Sequence, residues 1–231
     1  MRLILFDIDG TLIDTGGAGS RSLKLALKEL FSIENAFQGI SMAGKTDTEI
    51  IREGLIKHGI SMDGNINAVV EAYLKNLRKE ILNDRKHVKP GVYKLLKELG
   101  ILKNVAIGLL TGNLEKGARI KLEPFGLNEY FPSGAFGSDH DDRNKLLPIA
   151  VKRLENLYQR KIEIDNCIVI GDTPRDVQCA KIYRAKCIGV ATGSYSIEQL
   201  IEAGADYAVK DLTDYPALIH FLSFRACPGK K

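Results

Sequence analysis

Short apolar runs alternate with helix-period segments along most of this chain, and that alternation restricts the fold more than any other feature. RLILFDID, NVAIGLLTGN, NCIVIGDTP and AKCIGVATG are rich in leucine or β-branched residues, and each breaks into polar turn residues. SGAFGSD is a weaker run, and DYAVKDL reads as a last edge strand. Between them GVYKLLKELG, KLLPIAVKRLENLY, RDVQCAKIYRA and SIEQLIEAG carry apolar residues at helical intervals, the last with Ser196 as its N-cap. Strand and helix in turn build parallel βα units, so the expected fold class is α/β, a doubly wound parallel sheet.

The alternation fails once. From Gly16 to His87 no run reads as a strand, and SRSLKLALKELF, TDTEIIREGLIKHG and NAVVEAYLKNLRKEIL are all helical. A crossover takes about a dozen residues, so this stretch is too long to be one. It begins at glycine-rich TGGAGS and ends at RKHVKPGV, as an inserted unit on two hinges would. The expected organisation is an α/β core made of 1–15 and 88–231, with a smaller all-helical cap domain, 16–87, inserted after the first strand.

Composition removes several classes of function. Charged residues make up 27% and hydrophobic ones 45%, ordinary for a folded enzyme and wrong for a disordered chain. The net charge of +4 is spread out, and KNLRKE and DRKHVK read as solvated surface, so no nucleic-acid partner is expected. Cys167, Cys179, Cys187 and Cys227 lack metal-ligand spacing and read as free thiols. Two aspartates interrupt MRLILFDIDG and no later apolar run is long enough to span a bilayer, so the expectation is a cytoplasmic protein without a membrane partner. RACPGKK reads as a frayed tail, and either a monomer or a homodimer fits.

The carboxylates fall where chemistry is expected. RLILFDID delivers Asp7 and Asp9 at a strand's C-terminal end, ahead of Gly10 and Thr11, and that edge of a parallel sheet is where ligands bind. Residues two apart on an extended chain point the same way, so the two charges crowd unless a cation or shared proton relieves them. NCIVIGD ends a second strand at Asp172, four residues before Asp176. Such a hard-oxygen set suits Mg²⁺. Thr111, Gly112 and Asn113 end a third strand and offer a hydroxyl and N–H groups to phosphate oxygens.

DIDGT, the strand ending at Thr111, a basic residue ahead of a helix, and GDTPRD together resemble the four ordered motifs of the haloacid dehalogenase superfamily, from Met1 to about Val209. The helical insertion is similar to that family's cap, and the nearest style is that of phosphoglycolate-phosphatase-like hydrolases. The resemblance implies a nucleophile at Asp7 and a general acid, then base, at Asp9. It implies Mg²⁺ held by Asp7, Asp172 and the Asp9 carbonyl, supported by Asp176, and a phosphoryl group held by Thr111 and contacted by Thr11, Gly112 and Asn113. The family's third motif departs from its usual lysine: in DDRNKLLP, Arg143 or Lys145 could serve, and Arg143 is favoured because the apolar helix begins right behind Lys145. Asp139, His140, Asp141 and Asp142 read as a solvated loop.

The implied activity is Mg²⁺-dependent hydrolysis of a small phosphomonoester, with 2-phosphoglycolate as lead candidate and a β-phosphoglucomutase-like sugar-phosphate mutase as alternative. Asp9 argues against a dehalogenase, whose leaving group requires no proton. A phosphonatase with Lys45 as its Schiff-base lysine, and a non-catalytic scaffold, are weaker readings. GISMAGKT, residues 39–46, spells a nucleotide-binding P-loop, yet FSIENAFQ ahead of it cannot be the buried strand a P-loop requires. The expectation is an interhelical turn that presents Lys45 to substrate, followed by a helix capped by Thr46 or Asp47.

Overall fold

A computed structural model describes residues 1–223. In chain order it runs β1 (Arg2–Phe6), β2 (Ile13–Asp14), α1 (Ala18–Phe31), α2 (Asp47–Lys57), α3 (Asn65–Glu80), β3 (His87–Val88), α4 (Val92–Gly100), β4 (Val105–Leu110), α5 (Glu115–Leu122), β5 (Gly134–Ala135), α6 (Leu146–Tyr158), β6 (Cys167–Gly171), α7 (Pro174–Lys181), β7 (Lys186–Val190), α8 (Ile197–Glu202), β8 (Tyr207–Val209) and α9 (Tyr215–Ser223). Cys227 and the RACPGKK tail lie outside the described residues.

Six strands form one sheet in the order β5-β4-β1-β6-β7-β8, every neighbouring pair parallel. From β1 the chain steps outward through β4 to β5, then returns to β1's other side with β6. That reversal is a topological switch point, and the crevice at the carboxyl ends of β1 and β6 is where such a sheet receives a ligand. Alternate residues of the central strands serve opposite layers. Ile4, Phe6, Ile107, Leu109, Ile168 and Ile170 pack on α4 and α5, whereas Leu3, Leu5, Leu110 and Val169 pack on α6 and α7. A strand buried on both faces must be apolar throughout, which is why these runs lack polar alternation. SGAFGSD contributes only the two residues of β5, at the sheet edge.

α1, α2 and α3 share a separate apolar cluster centred on Leu23, Leu27, Ile51, Leu55, Val69, Tyr73 and Leu77. The two chain segments leading to and from these helices pair as a short antiparallel ribbon, with Ile13 opposite Val88 and Asp14 opposite His87. Lys89 reinforces it, donating its N–H to the Leu12 carbonyl at 2.9 Å and its Nζ to Asp14 at 3.2 Å. Sequence patterning misses this ribbon because a two-residue pairing between distant segments leaves no periodicity. Cys167, Cys179 and Cys187 are buried free thiols. Among the described residues no helix is long and apolar enough to cross a membrane.

Candidate active site

Asp7 follows β1 directly, and its backbone N–H still donates to the Ile170 carbonyl of β6 at 2.9 Å, so the strand pairing fixes where the side chain emerges. The next residues turn sharply, with Thr11 and Leu12 both donating to the Ile8 carbonyl. Gly10 sits at φ +84°, and a Cβ there would collide with the Asp172 carboxylate, so two reasons demand glycine. Asp172 directly follows β6, beside Asp7. Asp176 lies in the first turn of α7, where it completes a capping box: its Oδ2 accepts from the Thr173 N–H at 3.0 Å and the Thr173 hydroxyl at 2.7 Å.

Asp7, Asp172 and Asp176 place carboxylate oxygens within 4.8 Å of one another, all buried. Arg143 is inserted among them and is itself 4% exposed; its Nη2 donates to Asp7 Oδ1 at 3.0 Å, to Asp176 Oδ1, and to the Leu110 carbonyl at 3.3 Å. Asp142 delivers it, accepting from the Asn144 N–H at 2.9 Å to cap the tight turn that carries Arg143. Three carboxylates against one guanidinium leave surplus negative charge. Burial pushes the Asp7 carboxyl up to about 6, with Arg143 opposing and Asp176 and Asp9 adding to the rise. Burial and then the charges of Asp7 and Asp176 push Asp172 up to about 8. A buried, oxygen-only donor set with unbalanced negative charge fits a hard divalent cation. Asp7 and Asp172 line the cavity, while both oxygens of Asp176 are already taken by Arg143 and Thr173.

Asp9 turns the other way. Its Oδ2 accepts from Asn113 Nδ2 at 2.8 Å and Lys121 Nζ at 2.6 Å, and the side chain remains 41% exposed. Thr111 directly follows β4, its hydroxyl accepting from Asn113 Nδ2 at 2.9 Å. Asp7, Asp9, Thr111, Gly112, Asn113, Arg143 and Asp172 all open on one cavity of about 450 Å³.

GISMAGKT is no phosphate cradle: turns and irregular chain precede Gly44, and no strand feeds it. The loop packs on the core instead. The Asp47 N–H donates to the Gly112 carbonyl at 2.7 Å, and a Cβ on Gly112 would collide with the Lys45 carbonyl. Thr46 caps α2, accepting from the Glu49 N–H at 3.1 Å while its hydroxyl donates to the Asp141 carbonyl at 2.8 Å. Lys45 lines the cavity, with its ammonium paired to Glu53 and 3.9 Å from Glu49.

Two expected site residues belong elsewhere. Lys145 is exposed and does not line the cavity, because the tight turn at 143–145 sends Arg143 inward and its neighbour two residues on outward. Thr11 is completely buried in the turn beneath the site, where its hydroxyl donates to Asp172 Oδ1 at 3.2 Å. Nor is the acidic loop simply solvated: Asp139 holds Arg153 through two hydrogen bonds, and Asp141 pairs with Arg52 of α2.

A family model described as haloacid dehalogenase-like hydrolase matches residues 1–182. The chain belongs to that family. Relatives that align with this hydrolase carry phosphatase names, and two of them match over more than nine-tenths of their own length. Phosphoglycolate phosphatase of Vibrio vulnificus is 25% identical, covering 92% of this chain and 93% of its own. A candidate pyrophosphatase of Clostridium perfringens, PpaX, is 27% identical, covering 90% and 92%. Among solved structures, a predicted phosphatase from Clostridium acetobutylicum superposes with a TM-score of 0.72 at 22% identity, covering 95% of this chain and 98% of that one. The chain is thus a haloacid dehalogenase-like hydrolase, an enzyme whose relatives bear phosphatase names.

Sequence reading missed two residues of this hydrolase's site. Lys121 on α5 is 4% exposed and lines the cavity. Its signal was present: it follows Gly117 and Ala118 by four and three residues, on the stripe that α5 buries. Asp47 reads from sequence only as a cap for its own helix, yet its buried Oδ2 accepts from the Leu114 N–H at 3.0 Å, at the N-terminus of α5. That partner is distant in sequence and visible only in the fold.

Proposed function

We propose that this hydrolase is a Mg²⁺-dependent phosphomonoesterase acting on a small phosphorylated metabolite, with 2-phosphoglycolate as the lead candidate. One observation carries the reading: Asp7, buried in the cavity wall, is held by Arg143, while Asp9, two residues on, keeps one carboxylate oxygen without a donor among the described residues. The first aspartate is fixed for attack and the second is available for proton transfer.

Asp7 attacks phosphorus, forming an O–P bond as the bond from phosphorus to the leaving alcohol breaks, and Asp9 gives its proton to the departing oxygen. Water then attacks the aspartyl-phosphate, Asp9 takes the water's proton, the Asp7–phosphorus bond breaks, and orthophosphate leaves. Arg143 faces the charge that gathers on the phosphoryl oxygens, and Thr111, Gly112 and Asn113 border the same space. Asp7, Asp172 and the Asp9 carbonyl would hold Mg²⁺, with Asp176 behind them, and the bound ion would supply positive charge that lets two anions approach. The cap reading, 16–87 against a core of 1–15 and 88–231, makes the α2 loop the part that selects the leaving group.

Phosphate release should be seen with Mg²⁺ across a panel of phosphorylated metabolites and vanish in excess EDTA; full activity in EDTA would sink the metal-dependent reading. Lys45, which lines the cavity from the loop ahead of α2, is the cation this reading assigns to a second anionic group on the substrate. Replacing Lys45 with alanine should lower kcat/KM on 2-phosphoglycolate about 10- to 100-fold, the range for losing a charged hydrogen bond. An unchanged value would make the loop only a docking turn.

A further inference from the structure

We propose that Lys121 is a positioning residue for Asp9, fixing one oxygen of the proton-transferring carboxylate so that the other is aimed at the leaving group. The inference rests on the phosphatase reading above. Lys121, Asn113 and Asp9 close a triangle of hydrogen bonds: Lys121 Nζ donates to Asp9 Oδ2 at 2.6 Å and to Asn113 Oδ1, and Asn113 Nδ2 donates to the same Asp9 oxygen at 2.8 Å. Both donors take Oδ2. Oδ1 is left without a donor among the described residues, beside the cavity that Asp9 and Lys121 both line.

Lys121 is an expensive residue in this place. It stands on the buried stripe of α5 among Ala118, Leu122 and Gly117, where an apolar side chain would complete the packing without desolvating a charge. Helix α1 closes over it so tightly that a Cβ on Gly19 would come within 3.1 Å of Nζ. Asp47, brought in by α2 and anchored on the Leu114 N–H, is buried close enough for its charge to act on Lys121. The core and the helical insertion thus both enclose one ammonium, and the group that ammonium holds is Asp9. A carboxylate with one oxygen tied by two donors has few rotamers left, which removes the entropy of orienting it at the moment of proton transfer.

The test compares two leaving groups. kcat/KM reports the steps through departure of the alcohol, so an alkyl phosphate, whose oxygen leaves only with a proton, needs a well-placed Asp9, whereas 4-nitrophenyl phosphate needs it far less. Lys121→Met should lower kcat/KM on the alkyl ester about 100-fold, near the lower edge of general-acid contributions, with a loss on the aryl ester at least about tenfold smaller. Asp9→Asn should show the same selectivity, and the double variant should be no slower on the alkyl ester than Asp9→Asn alone, since Lys121 acts through Asp9. Lys121→Gln, which keeps a polar group in the buried position, repeats the comparison should the methionine variant fold poorly. Equal losses on both esters, or additive losses in the double variant, would overturn the positioning role while leaving the phosphatase reading intact. Wild-type enzyme inert toward both esters in Mg²⁺ would overturn the phosphatase reading and this inference together.

Discussion

Asp7→Asn is expected to lower turnover by on the order of 10⁴-fold or more, as loss of a nucleophile does elsewhere, without unfolding the protein. The surroundings hold this group in place: Arg143 binds it at 3.0 Å, Asp172 stands beside it, and the β1–β6 pairing fixes its backbone. An amide in its place can still accept from Arg143, but it cannot form and release an acyl phosphate. The stability prediction carries a sign. Because burial and neighbouring carboxylates raise the folded-state value from 3.8 to about 6, ionised Asp7 opposes folding increasingly as pH rises through that interval. A neutral isostere removes that opposition. In EDTA at pH 7 the melting temperature of Asp7→Asn should match or exceed that of the parent, and a fall of several degrees would contradict the charge balance described here.

Arg143→Met should do the opposite, losing both activity and stability. Its guanidinium is the buried cation that bridges Asp7 and Asp176, and without it three crowded carboxylates face one another unrelieved. Removing one partner from a buried ion pair costs about 3–5 kcal/mol. For a chain of this size that amounts to a drop of roughly 10 °C in Tm. Mg²⁺ should recover more stability in this variant than in the parent, since the ion would neutralise the same surplus charge. Arg143→Lys keeps the charge but not the rigid guanidinium whose Nη2 reaches Asp7, Asp176 and the Leu110 carbonyl together, so it should restore stability better than activity. A thermal melt of the three proteins with and without Mg²⁺ decides the matter. Equal melting temperatures for parent and Arg143→Met would show that the carboxylates do not need their arginine.

Much of this arrangement could be read from local pattern. Asp7, Asp9 and Asp172 follow apolar runs, and a parallel sheet sends the ends of such runs to one edge, so strand direction alone brings them together. Ser196 and Thr46 cap their helices because a capping hydroxyl bonds within its own turn. Lys145 and Thr11 show where pattern stops. Proximity along the chain put both near the chemistry, but a tight turn faces neighbouring side chains in different directions, and no periodicity says which one enters the site.

The sequence by itself determined the sheet, the insertion of helices after its first strand, and the meeting of acidic strand ends, since each follows from periodicities of two and 3.6 residues and from local capping. Only the tertiary structure decided that Arg143 rather than Lys145 holds Asp7, that Lys121 holds Asp9, and that Asp47 of α2 caps α5 in the core. The physical reason is shared by all three. A buried charge is kept where it is by partners far away in the chain, and a partner 67 or 112 residues distant leaves no mark on the local pattern around it.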